Sequence, residues 1–95
     1  MIMERKYFVG RIECEELKER IFAMEYYVVE YMNMYSIEIV KEAVANCGMV
    51  EDNERITSYP ISHTRKVAER IASLFLRNAV TPMGMYECLD DIFEI

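Results

Sequence analysis

From Glu13 to Cys47 the chain runs 35 residues without a glycine or a proline. No other feature narrows the choice of fold as much, because turns draw heavily on those two residue types. Glu, Leu, Met and Ala are abundant, and Glu13, Glu15 and Glu16 crowd a start where a helix dipole favours anions. Gly48 stands where a C-terminal cap belongs. The expectation is one helix over about residues 13–47, about 50 Å long at about 1.5 Å per residue. A break near Asn33 to Ser36, with Ser36 capping a second piece, is the alternative.

Ahead of this segment KYFVGRI, Lys6 to Ile12, gathers β-prone residues around one glycine, as a short strand or an extended arm would. A lone strand in a helical monomer has only a second copy of the chain to pair with. After it, the polar run MVEDNERIT, Met49 to Thr57, carries no period and reads as a loop. Ser58-Tyr59-Pro60 then opens a helix of about residues 59–80, with Ser62 a second candidate cap. Thr81-Pro82 opens another over about 82–94. With 95 residues, three Gly and two Pro, little is left for the turns of an all-β fold. The expected fold is therefore all-α: a three- to four-helix bundle in a single domain, with one long central helix and a short extended or strand-like N-terminal arm over residues 1–12.

Ala23 to Val40, AMEYYVVEYMNMYSIEIV, holds only five polar residues in eighteen. Wound as a helix, it leaves a narrow polar stripe through Glu25, Asn33 and Ser36, and the shorter helices cannot cover the rest. Leu17, Ile21, Met24, Val28, Tyr31 and Tyr35 alternate spacings of four and three, the seam of a helix pair. A second copy of the long helix would complete the cover, so a homodimer is expected. The simpler reading is that three helices of one chain suffice. Eight Met and seven Tyr suit an interface, and suit a core as well.

Charge comes in blocks. Residues 13–54 hold eleven acidic and three basic groups, residues 55–81 five basic and one acidic, and residues 82–95 four acidic and none basic. On the expected second helix, Ile61, Val67, Ala68, Ile71, Leu74, Phe75 and Ala79 share one face. His63, Lys66, Arg70 and Arg77 form a strip on the other. That strip is a candidate acceptor for phosphate or an acidic partner surface, or else a solvated face. The net charge of -6 disfavours a general nucleic-acid binder.

Cys14, Cys47 and Cys88 are odd in number and far apart, which suits reduced thiols in the cytoplasm better than a disulfide framework. With His63 they lack the close ligand pairs of a structural zinc site, and nothing beside any of them suggests an activated nucleophile. Asp90 and Asp91 with Glu87 and Glu94 read as an acidic helical tail, since no glycine-bearing calcium loop is present. No phosphate-binding glycine motif and no nucleophile elbow occurs. No secretory leader is visible, and no run of eighteen uncharged apolar residues could span a bilayer. Neither a metal nor a cofactor is expected, nor membrane insertion, nor an enzyme.

Residues 5–48, a strand-like arm followed by two helices with the second opening at Ser36 in SIEIVKEAV, are faintly similar to the ribbon-helix-helix DNA-binding fold. The resemblance implies paired arms from two chains, with Arg5, Tyr7, Val9 and Arg11 facing the major groove. The sequence departs from that pattern in having no clear turn between the helices, and its acidic block would lie beside DNA. The function expected first is a small cytoplasmic protein-interaction module, a regulator, adaptor or inhibitor that occupies another protein's surface. Nucleic-acid or anionic-ligand binding through the basic helix face is the alternative.

Overall fold

A computed structural model describes residues 3–16, 20–44 and 50–93. The chain builds four strands and then two helices: β1 (Arg5–Glu16), β2 (Arg20–Tyr31), β3 (Met34–Val44), β4 (Val50–Thr57), α1 (Arg65–Arg77) and α2 (Met85–Phe93). The strands form one antiparallel sheet in the order β1-β2-β3-β4. This overturns the all-α bundle. The described part of the segment expected as a long central helix is the end of β1, all of β2 and all of β3. MVEDNERIT, expected as a loop, contributes β4, and the strand-like arm is the beginning of β1.

The physical reason lies in β2 and β3. A strand betrays itself by polar alternation only when one of its faces is wet. Here Met24, Tyr26 and Val28 point to the helices, yet Ala23 and Val29 on the other face of β2 are also buried. With both faces apolar, the period of two vanishes from the sequence, and the missing Gly and Pro then favour a helix by default. The turn gave no glycine signal either. Met32 and Asn33 form the two-residue link between β2 and β3 with φ of 52° and 60°, so both accept the left-handed backbone of a type I′ hairpin. Asn tolerates that conformation and Met is there at a cost. The comparison with ribbon-helix-helix proteins falls with the helices: Ser36 sits inside β3, opposite Val29.

One face of the sheet carries the core. Met24, Tyr26 and Val28 of β2 and Ile37 and Ile39 of β3 pack with Ala68, Ile71, Ala72 and Phe75 of α1 and with Met85 and Leu89 of α2. After β4 the chain stays beside β3, where Tyr35 and Ser62 form an isolated bridge. Ser58, expected as a helix cap, serves the sheet instead: its hydroxyl accepts from the Ile37 N–H at 2.9 Å and donates to the Tyr59 carbonyl. α1 begins later, with Thr64 at its N-cap and Ser62 Oγ accepting the Thr64 N–H. Its expected apolar face is rotated in fact. Ala72 is buried where Val67 and Leu74 are exposed.

α1 ends in a Schellman motif. The Ala79 N–H donates to the Leu76 carbonyl at 3.2 Å and the Val80 N–H to the Phe75 carbonyl at 3.0 Å. Ala79 holds φ at 51°, where a glycine would be unstrained. Ala79→Gly should therefore stabilise the protein by about 1 kcal/mol, seen as a higher melting temperature in a thermal scan. An unchanged or lower melting temperature would refute this account of the cap.

Candidate functional site

α1 lies against β1, and this contact gathers chemistry that is scattered in the sequence. The Arg65 guanidinium stacks on the Tyr7 ring at 3.6 Å from its centroid, and Arg65 Nε donates to Glu69 at 2.6 Å. Tyr7, Phe8 and Val9 of β1 and Arg65, Glu69 and Ser73 of α1 line a cleft of about 260 Å³. Arg65 of α1 thus meets β1, the strand that carries Arg5, Lys6 and Arg11.

Tyr7 also anchors the edge strand to its neighbour. Tyr7 Oη donates to one oxygen of Glu30 at 2.8 Å, and Tyr35 Oη donates to the other at 3.2 Å. Partial burial, with the bond to Glu30 adding to it, holds the Tyr35 hydroxyl above the usual tyrosine range. Both Glu30 oxygens are occupied by tyrosine donors. This is a clamp, not a general base. Beside it, Met3, Arg5, Glu30, Met32 and Asn33 line a second cleft of about 380 Å³.

The face of the sheet turned away from the helices is covered by no described element. Near its centre Glu38, 4% exposed, accepts from Lys6 Nζ at 3.1 Å and from Thr57 Oγ1 at 2.8 Å. A buried carboxylate needs such partners, because removing one leaves an uncompensated charge. Phe8 stands beside this pair with 59% of its surface exposed, edge-on to Tyr27 at 5.6 Å between ring centroids. Tyr27 in turn donates to Glu25, and burial and that bond raise its hydroxyl pKa. On the same strand, Arg11 makes an exposed 3.5 Å pair with Glu13.

Lys66, Arg70 and Arg77 project from the outer face of α1, and His63 sits exposed at the bend before it. No described acidic side chain pairs with any of the four. The described residues of the expected oligomer seam lie in strands and not on a helix. Met24 and Val28 are spent in the core, Tyr35 is in the Glu30 clamp, Ile21 and Tyr31 are exposed in β2, and Leu17 lies outside the described residues. Four-three spacing makes a seam only on a helix. Of the expected groove-facing set, Tyr7 and Val9 pack towards the core, while Arg5 and Arg11 are exposed.

Cys14 and Cys88 are free thiols packed against the core, and burial pushes the Cys88 thiol up; Cys47 lies outside the described residues. Glu87, Asp90 and Asp91 are exposed on α2, and Glu94 is outside the described residues. Among the described residues no three His, Cys, Asp or Glu side chains are grouped so as to hold a metal ion. No helix of the described residues is long and apolar enough to cross a membrane. Phe8, Lys6, Tyr27 and Glu38 escaped the sequence reading. The available signal was KYF in a strand-like arm, a large aromatic beside a base with no helical face to bury it.

Residues 5–94 match a protein family described as a family of unknown function, DUF6514. No curated protein and no solved structure matches the chain.

Proposed function

The chain belongs to the family of unknown function DUF6514, and from that premise we propose that it is a non-enzymatic protein-interaction module that docks on an acidic protein surface through its β1 and α1 side. The observation that carries this reading is Phe8, 59% exposed and flanked on its own strand by Lys6 and Arg11. An exposed aromatic between two bases suits a partner with an apolar pocket and an acidic rim, because aromatic anchors supply most of the energy at such contacts. Lys66, Arg70 and Arg77 on the adjoining helix, which no described acidic side chain pairs, add positive charge near this strand. The module acts as a regulator, adaptor or inhibitor in the cytoplasm, where three widely spaced cysteines stay reduced.

Affinity capture from the cells that make the protein tests the proposal, with wild type compared with Phe8→Ala and with the triple variant Lys66→Ala, Arg70→Ala, Arg77→Ala. At least one protein should be retained by wild type and reduced about tenfold, or about 1.4 kcal/mol, by each variant, with circular dichroism unchanged. Identical capture by all three sinks the proposal. So does capture that nuclease abolishes, or wild-type binding to duplex DNA that weakens steeply with salt, which would favour the nucleic-acid alternative.

A further inference from the structure

We infer that the partner supplies an extended acidic segment, which adds as a fifth strand along the outer edge of β1. This deepens the docking proposed above and rests on it. β1 is an edge of the sheet, and no described residue hydrogen-bonds along its outer side. Backbone N–H and C=O groups turned that way are left to water or to another extended chain. When a strand adds there, main-chain bonds give the affinity and alternate side chains give the specificity.

The surroundings of this edge suit a strand. α1 closes on β1 at two points: the Arg65 guanidinium lies over the Tyr7 ring, and Leu76 occupies the space above Gly10. The cleft of about 260 Å³ opens between strand and helix, with Tyr7, Phe8 and Val9 on one wall and Arg65, Glu69 and Ser73 on the other. The three α1 residues are spaced by four, so they form one row of the helix. A chain added to β1 sets every second side chain on the helix side, where this cleft receives it, and the others on the open face.

Charge chooses the chemistry of that chain. Residues 5–12 of β1 include Arg5, Lys6 and Arg11 and no acid. Arg5 is exposed and no described acid forms an ion pair with it, while Glu30 opposite has both oxygens on tyrosine hydroxyls. Lys6 and Arg11 are paired with Glu38 and Glu13, yet 37% and 45% of their side-chain surface stays exposed. Opposite charges facing across a ladder attract and like charges repel, so this stretch of a second copy, set against itself, is the wrong strand. The bulge limits the contact. The register against β2 shifts between Phe8 and Gly10, which interrupts pairing there and confines the added ladder to residues 5–8. An acid then belongs opposite Arg5 and another opposite Lys6, the residue opposite Tyr7 enters the cleft, and an apolar side chain meets Phe8. The recognition pattern is acid, acid, any residue, apolar residue, read in either chain direction.

Synthetic peptides of alternating Thr and Val that carry this pattern, one for each chain direction, test the contact by fluorescence anisotropy and hydrogen exchange. At least one should bind saturably below about 1 mM. Replacing its Glu residues by Lys, or every second residue by Pro so that it cannot form a ladder, should weaken binding at least about tenfold. Arg5→Glu should weaken it about tenfold, because an attraction becomes a repulsion, and Ser73→Phe should do the same by filling the cleft without changing charge. Circular dichroism of both variants should match wild type. Amides of β1 that exchange freely in the protein alone should become protected by the peptide, and those of β4 should not. No saturable binding by either peptide overturns the inference, as does protection at β4 in place of β1 or indifference to Arg5→Glu or to Ser73→Phe. Binding that the proline peptide retains overturns it too, and leaves the acidic-partner docking standing, since charge and Phe8 would then act without a ladder. The docking itself falls with the capture experiment above, so the two failures are told apart.

Discussion

Tyr26→Ala should destabilise the protein more than any other single change considered, by about 3–5 kcal/mol. Tyr26 is fully buried at the centre of β2 and belongs to the core cluster that residues of both helices share. Its hydroxyl donates to the Val80 carbonyl at 2.8 Å, which ties the sheet to the link between α1 and α2. Tyr26→Phe separates the two contributions. It keeps the ring and removes the hydroxyl, leaving the Val80 carbonyl unsatisfied at a cost of about 1–3 kcal/mol. Thermal and urea denaturation of the two variants check this, with about 4–8 °C of melting temperature expected per kcal/mol in a chain of this size. A Tyr26→Phe variant as stable as wild type would remove the hydrogen bond from the account.

The same residue predicts a pH dependence. Burial, with the nearby Cys14 thiol contributing, pushes the Tyr26 hydroxyl from 10.0 up to about 12. The folded state therefore holds its proton more tightly than the unfolded chain. The stability tied to that difference is complete below about pH 10 and is lost as pH rises towards about 12. Wild type should lose stability through that window, and Tyr26→Phe should lose less of it. An equal loss in both would assign the alkaline instability to other groups.

Gly10→Val should be the second most damaging change, at about 1–3 kcal/mol. A Cβ at Gly10 would lie 2.5 Å from Leu76 Cδ2, closer than any real contact, so the helix rests on the bare backbone just after the bulge. The contact is with the end of a flexible side chain. Gly10→Ala should therefore cost less than Gly10→Val, and shortening Leu76 should relieve it. A double-mutant cycle of Gly10→Val with Leu76→Ala should show a favourable coupling, the pair being less damaging together than the separate effects predict. Strict additivity would mean that the glycine is needed for its backbone and not for the space above it.

Both C-terminal helices were legible because each keeps one wet face. α1 falls within the expected segment 59–80 and α2 within 82–94, and Lys66, Arg70 and Arg77 lie on the solvent side of α1. The first helix start was misplaced, since Ser58 and Pro60 belong to a connection that follows β4 and runs beside β3. The strands were illegible for a different reason. β2 buries residues on both of its faces, and Glu38 and Lys6 pair across the sheet from positions 32 apart in the chain. No local pattern records such a partner.

Composition and charge order by themselves determined that the chain folds around a core, with acidic and basic segments kept apart and its cysteines too scattered for a disulfide framework. Those properties are sums or local patterns, so a linear reading reaches them. Only the tertiary structure decided that the described residues between 13 and 44 pair as strands, because the choice between helix and sheet there turned on which neighbours would cover two apolar faces. It also decided the site. Arg65 stands more than fifty residues from Tyr7 in the chain, and the two meet only when α1 packs on β1 with Leu76 over Gly10. Long-range packing made that contact, and packing of that kind leaves no period in a sequence.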